Sequence, residues 1–388
     1  MSDNLFHSLA FNPANYFSYI TPSYFYQNSE DYDVYDEWTL CQKLGKDSCY
    51  KLLKWHWDTF VTISDFWKIK NAGFNAVRIP VGYWSYLDIG GPYTAGAAPY
   101  LDRAIEWANE TQLKVIIDLH GLPESQNGFD HSGQRRKEPG WGKGDSLGQS
   151  HAVLWTLYNK FAITEMRDIV IGIQPVNEPW LDHLDSNMVK AFYNDTFHNL
   201  RKVGDTPIVL HDGFWKPSWL NGFLTPSENA YNVIMDHHEY QIFDPNGNSL
   251  SVKDHLGRVC ASQEFYSNVD KWTIVAEWSG ALTDCAPHLN GFKQGNRYEG
   301  SWWGSWYMGS CKGKSGNVSS WSEEWKNATR MYIEAQLDAF EARTNGWAFW
   351  NFKTENNGAG EWDLFQLLDN GVFPQPIWER KFPRACEW

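Results

Sequence analysis

Short apolar, β-branched runs recur along the chain, separated by longer stretches of helical periodicity. NAVRIPV (75–81), KVIIDLH (114–120), IVIGIQPVNE (169–178), TPIVLHDG (206–213), YNVIMDHHEY (231–240), TIVAEWSG (273–280) and GWAFWNF (346–352) read as strands. Between them, YLDRAIEWANETQ (100–112), MVKAFYNDTFHNLRKV (188–203) and WKNATRMYIEAQLDAFEAR (325–343) place apolar residues at about i, i+3, i+4 and i+7. Those segments read as helices that bury one face. Strands alternating with helices predict an α/β fold with a parallel sheet. Strands this continuously apolar must be covered on both faces, as in a closed barrel or a doubly wound sheet.

The polar residues separate these two architectures. Nearly every run ends on its C-terminal side in residues able to do chemistry: Arg78, Asp118 and His120, Asn177 and Glu178, His211 and Asp212, His237 to Tyr240, Glu277, and Trp350. A doubly wound sheet gathers such residues at one switch point, whereas a (β/α)8 TIM barrel collects them from the loops after all its strands. The barrel is therefore predicted, as one domain, because no repeat or linker divides the chain. The Gly-rich polar stretch from 121 to 150 is a long loop, of the kind that is usually functional.

Composition narrows the partners. A formal net charge of −14 over 388 residues argues against nucleic acid and against an anionic membrane surface. No apolar run approaches the roughly 18 residues needed to span a bilayer. The 23 Trp, 19 Tyr and 22 Phe suit stacking on sugar rings, and also the filling of a large core. Six cysteines without zinc-ligand spacing suit disulfides in an oxidising compartment. The sequons at Asn109, Asn194, Asn317 and Asn327 are about as many as chance would give. MSDNLFHSLAFNPANYF has neither the basic nor the apolar region of a signal peptide.

Glu178 and Glu277 each end a separate apolar run. On a barrel, the fourth and seventh strands can bring their ends to opposite sides of one cleft. Two facing carboxylates suit glycoside hydrolysis: one protonates the leaving oxygen while the other attacks the anomeric carbon. Arg78 is placed to hold the ionised nucleophile and lower its pKa. The Asn177 amide suits a sugar 2-hydroxyl, and His120, His238 and Tyr240 suit the rim of a polar ligand. His237 reads as a satisfied core histidine. His120, His211, Asp212, His237 and His238 are also metal-ligand types, but no HExxH or comparable spacing appears, so neither metal nor cofactor is expected.

Together these motifs resemble glycoside hydrolase family 5, and within it the fungal exo-1,3-β-glucanases. The resemblance is carried by RIPVGYW (78–84), DLHGLPESQNGFDHSG (118–133), IQPVNEP (173–179), DHHEYQIF (236–243), EWSGALTDC (277–285) and WAFWNFKTEN (347–356). It implies a retaining, monomeric exo-hydrolase that removes glucose from β-1,3-glucan outside the cell or in the wall. Glu178 matches the acid/base and Glu277 the nucleophile. Arg78, His120, Asn177, His238, Tyr240 and Trp350 match sugar-pocket residues, and Phe129 and Phe243 match the aromatic pair clamping the next glucose. The family pattern pairs Cys285 with Cys311 and Cys260 with Cys386, leaving Cys41 to Cys49. Related enzymes of the family cut β-1,6-glucan or release rutinose from rutin, and a barrel that binds glucan without cutting it is a further alternative.

The front of the chain departs from the family. Only ITPS onwards fits, so residues 1–19 stand apart from a catalytic barrel over 20–388, and the family's first-strand glutamate falls at Phe17. The first strand is therefore expected to be atypical or missing. Either NPANYFSYI (12–20) substitutes for it, or the start is a misassigned exon lacking both strand and signal; the second is the preferred expectation.

Overall fold

Eight parallel strands close a barrel in simple chain order in this computed structural model. They are β1 (Phe6–Ala10), β2 (Ala76–Gly82), β3 (Lys114–Gly121), β4 (Val170–Gln174), β5 (Ile208–His211), β6 (Val233–Glu239), β7 (Trp272–Trp278) and β8 (Gly346–Trp350). The structure describes residues 6–10, 23, 24, 27, 33–383 and 386. All seven runs read from the apolar pattern overlap strands, and the three periodic segments overlap the helices Ala98–Thr111, Ser186–Arg201 and Glu323–Arg343, two of which end one or two residues earlier than the pattern.

Of the two expectations for the first strand, atypical or missing, the structure bears out the first: the five residues Phe6–Ala10 form a strand. β1 pairs with β2 from Ser8↔Ala76 to Ala10↔Arg78, and with β8 from Phe6↔Gly346 to Ala10↔Trp350. The barrel thus draws on the segment 1–19 that the motifs set apart. NPANYFSYI, with Phe17, lies outside the described residues.

Local chemistry explains where the helices begin and end. Ala98–Thr111 buries Leu101, Ala104, Ile105 and Ala108, one stripe of a helix, and stops at Gln112 in the left-handed region (φ 58°). Ser322 caps Glu323–Arg343 by accepting from the Trp325 amide, with two glutamates in the first turn and Arg343 in the last. Between strands and helices, Trp278 packs edge-on against Trp347, Phe349 and Phe340, at centroid distances of 5.4, 5.0 and 5.5 Å. Much of the aromatic excess is therefore core. Ile116, Val209, Ile234, Ile274 and Ala276, from β3, β5, β6 and β7, form a separate buried cluster in the layer that supports the site.

Disulfides join Cys41 to Cys49, Cys260 to Cys386 and Cys285 to Cys311, the pairing that the resemblance implies. No helix among the described residues is long and apolar enough to cross a membrane.

Candidate active site

The strand ends open into a cleft of about 860 Å³ lined by His120, Phe129, Glu178, His238, Tyr240, Phe243, Glu277 and Trp350. Arg78 and Asn177, fully buried, lie beneath it. All ten residues singled out in the sequence thus come together. Each is held by a specific local feature.

β4 ends at Gln174, before Pro175, which has no N–H for a ladder. The chain then turns through Glu178, whose φ of 46° is rare for a residue with a side chain and swings the carboxylate over the barrel mouth. Gln126, from the loop after β3, fixes this turn by donating to the carbonyls of His120 (2.7 Å) and Asn177 (2.9 Å).

Arg78 organises the floor. Its Nε donates to Gln174 (2.9 Å), one terminal nitrogen to Glu277 Oε1 (2.8 Å), and the other to Asn177 Oδ1 (2.7 Å), with Asp118 at 3.0 Å. Because a guanidinium only donates, the Asn177 amide oxygen must face Arg78, leaving its NH2 towards His120 Nε2 at 3.3 Å. His120 Nδ1 in turn bonds Asp118 at 2.6 Å, which sets its tautomer. Its ring stacks on Trp350, centroids 5.8 Å apart.

His238 links the two glutamates. Its Nδ1 is 2.7 Å from Glu178 Oε1 and 3.6 Å from Glu277 Oε2. The facing oxygens are therefore closer than the sum of these distances, which is below the roughly 6.5–9.5 Å that an inverting hydrolase leaves for a water. Asp236 and His238 share one strand face, and Asp236 Oδ2 lies 3.2 Å from His238 Nε2. Asp236 is itself fixed by Gln174 Nε2 and the Ala276 amide. Tyr240 donates to Glu277 at 3.1 Å.

Burial alone would favour a neutral His238, but Glu277, Asp236 and Glu178 hold its pKa well above the ordinary histidine value. Burial also pushes Glu178 upwards, yet the hydrogen bond and charge of His238 pull it below the usual carboxylate range. Burial lifts Glu277 above that range against His238 and Arg78, contrary to the lowering expected from Arg78 alone. With the ring charged, the order of acidity is therefore the reverse of the roles that the motifs suggest. Permanence of charge decides between the two: Arg78 cannot release its proton, so Glu277 faces a fixed cation in every state. The cation beside Glu178 is a ring able to pass its Nδ1 proton across 2.7 Å, and Asp236 then retains the Nε2 proton.

Several neighbours carried no role in the sequence reading. His131 Nε2 lies 3.3 Å from Glu178 Oε2, and Asp236 secures His238. Both sit inside motif blocks, but nothing in their own spacing marks them. Trp180 and Phe214 pack beside Phe129 on one wall, and Trp362 beside Tyr240 and Phe243 on the other. His237 bonds Asp212 at 2.5 Å and lies 3.4 Å from Glu239, satisfied as expected. Glu178, His211 and His238 have potential ligand atoms within 4.8 Å of one another. Yet His238 is committed to carboxylates at both nitrogens, so as a metal ligand it would have to give one up; we read Asp236, His238 and Glu178 as a hydrogen-bonded relay, with the His211 ring packed edge-on against His238.

A family model described as Cellulase (glycosyl hydrolase family 5) matches residues 41–356. A glucan 1,3-beta-glucosidase of Yarrowia lipolytica is 41% identical over 373 residues, covering 95% of this chain and 88% of that protein. One from Schwanniomyces occidentalis is 42% identical over 380 residues (95% and 87%). A probable glucan 1,3-beta-glucosidase A of Aspergillus terreus is 44% identical over 356 residues (90% and 83%). Among solved structures, the rutinosidase from Aspergillus niger superposes with a TM-score of 0.73 at 18% identity, covering 96% of this chain and 99% of its own, a likeness of fold. With the family match and these identities spanning nearly the whole chain, the protein belongs to glycosyl hydrolase family 5.

Proposed function

We propose that the protein is a retaining exo-β-glucosidase that releases glucose from the non-reducing end of β-1,3-glucan. The observation that carries the mechanism is the pair of buried glutamates joined through His238, one anchored by Arg78 and Tyr240 and the other able to exchange a proton with the ring. The names of the relatives support the substrate.

Glu178, once protonated from His238, donates to the glycosidic oxygen as that bond breaks. Glu277 Oε attacks the anomeric carbon and forms a glucosyl ester. Arg78 and Tyr240 keep the nucleophile ionised and aimed. Glu178, now a base, takes a proton from water, which attacks the same carbon and frees glucose with its β configuration. The Asn177 NH2, turned towards His120 Nε2 because Arg78 takes the amide oxygen, is the donor we assign to a sugar 2-hydroxyl. Disulfides that pair all six cysteines suit an oxidising compartment, and we assign the enzyme to the cell exterior or wall as a monomer.

Azide separates the two roles. Glu178→Ala should lose about 10²–10⁴-fold in kcat on β-1,3-glucan, while azide restores turnover of an activated aryl β-glucoside and yields the β-glucosyl azide. Glu277→Ala should give the α-azide instead. Full glucan activity in either variant would overturn the assignment. Preference for pustulan or rutin over laminarin by the unmodified enzyme would keep the mechanism and change the substrate.

A further inference from the structure

The loop closed by the Cys285–Cys311 disulfide ends in the stretch Gly300–Ser310, GSWWGSWYMGS, which holds four aromatic residues and no charged one. Trp302 lines the cleft, with the Arg297 guanidinium 4.7 Å from its ring centre. The next aromatics face outwards: Trp303 is 94% exposed, Trp306 53% and Tyr307 69%. Large aromatics are also exposed singly elsewhere, as at Trp272 and Trp378, and single ones are ordinary on a protein surface. Three along one short segment that begins at the cleft wall are not ordinary.

Their exposure is built into the backbone. Glu299 and Tyr307 form an antiparallel bridge, and the Met308 and Gly309 amides both bond the Tyr298 carbonyl. Trp302–Ser305 is a closed turn (Ser305 N to Trp302 O, 3.1 Å) that uses Gly304 at φ 78°, a conformation open to glycine. The base of this hairpin is tied to buried Asp284, which accepts from the Arg297 amide (2.7 Å), the Tyr298 amide (3.0 Å) and Asn290 (2.9 Å). The acid of the loop, Glu299, is used internally by the Cys311 amide. The rings are thus presented on a preorganised support, which lowers the ordering cost of binding.

We propose that Trp303, Trp306 and Tyr307 form a platform outside the cleft on which the distal residues of a β-glucan chain stack before its end enters. The occupant follows from two features. The platform continues the cleft wall through Trp302, and a charge-free run of flat rings, Gly and Ser fits a neutral sugar chain rather than an acidic polymer. The proposal rests on the β-glucan reading and extends it to polymer length.

Affinity electrophoresis through laminarin tests it, with the inactive Glu277→Gln protein and the same protein carrying Trp303→Ala and Trp306→Ala. The platform requires retardation by laminarin that the added substitutions largely abolish and that Trp303→Tyr with Trp306→Tyr restores. In the active enzyme, the alanine pair should raise KM for laminarin about tenfold relative to KM for an aryl β-glucoside, the size expected from two ring contacts. Unchanged retardation and an unchanged KM ratio, in an enzyme that does cleave laminarin, would overturn the platform alone. An unmodified enzyme inert on laminarin would instead remove the substrate reading beneath it. Sedimentation as a dimer that the alanine pair dissociates, with retardation unchanged, would reassign the patch to self-association and also overturn the proposal.

Discussion

His238 decides how two buried carboxylates share one proton. Its Nδ1 faces Glu178 at 2.7 Å, and its Nε2 is held by Asp236 at 3.2 Å. Burial disfavours the charged ring, while Glu277, Asp236 and Glu178 favour it, so the His238–Glu178 pair keeps its proton to high pH. Removing the Asp236 charge takes away one of the neighbouring charges that raise the ring's pKa. Asp236→Asn should therefore move the alkaline limb of the kcat/KM profile to lower pH. It should also lower kcat by about 10–10²-fold, the range for losing a hydrogen bond to a charged group. A merely structural defect would lower activity without moving the limb, so an unmoved limb would contradict the relay.

At the scale of elements, the turn Gly360–Trp362 carries a further perturbed acid, Glu361, beside the cleft-lining Trp362. Glu361 is buried without an ion-pair partner among the described residues, and burial lifts its pKa from 4.5 to about 8. Below pH 4.5 the folded and unfolded chains both keep the proton, and nothing is lost. As pH rises through 4.5 towards 8, the unfolded chain ionises first and stability falls. Glu361→Gln should therefore raise Tm by several degrees at pH 8 and leave it nearly unchanged at pH 4; an equal gain at both would contradict the burial of an acid. The seven strands from β2 to β8 were legible because each is an apolar run ending in polar residues. β1 was not: FHSLA is five residues with His and Ser inside it, and its place depends on ladders with β2 and β8 that no local pattern encodes. The run IVIGIQPVNE reads as strand to Glu178, yet Pro175 ends it at Gln174 and the positive φ at Glu178 aims the side chain. The positions of the functional residues were readable from chain order on a barrel, whereas their partners depended on packing. His131, distant in sequence from Glu178, is one example, and Asp236 is another.

Across the whole molecule, a closed barrel brings Arg78, His238 and Glu277 from strands β2, β6 and β7, and Glu178 from the turn after β4, to one place. The loop closed by Cys285–Cys311 contributes Trp302 to the wall of that cleft. The central claim is that these parts act together as a retaining exo-glucosidase. Proton NMR of the first glucose released from laminarin, recorded before mutarotation, tests it directly. β-Glucose as the first product is expected; α-glucose, or oligosaccharides ahead of glucose, would contradict it.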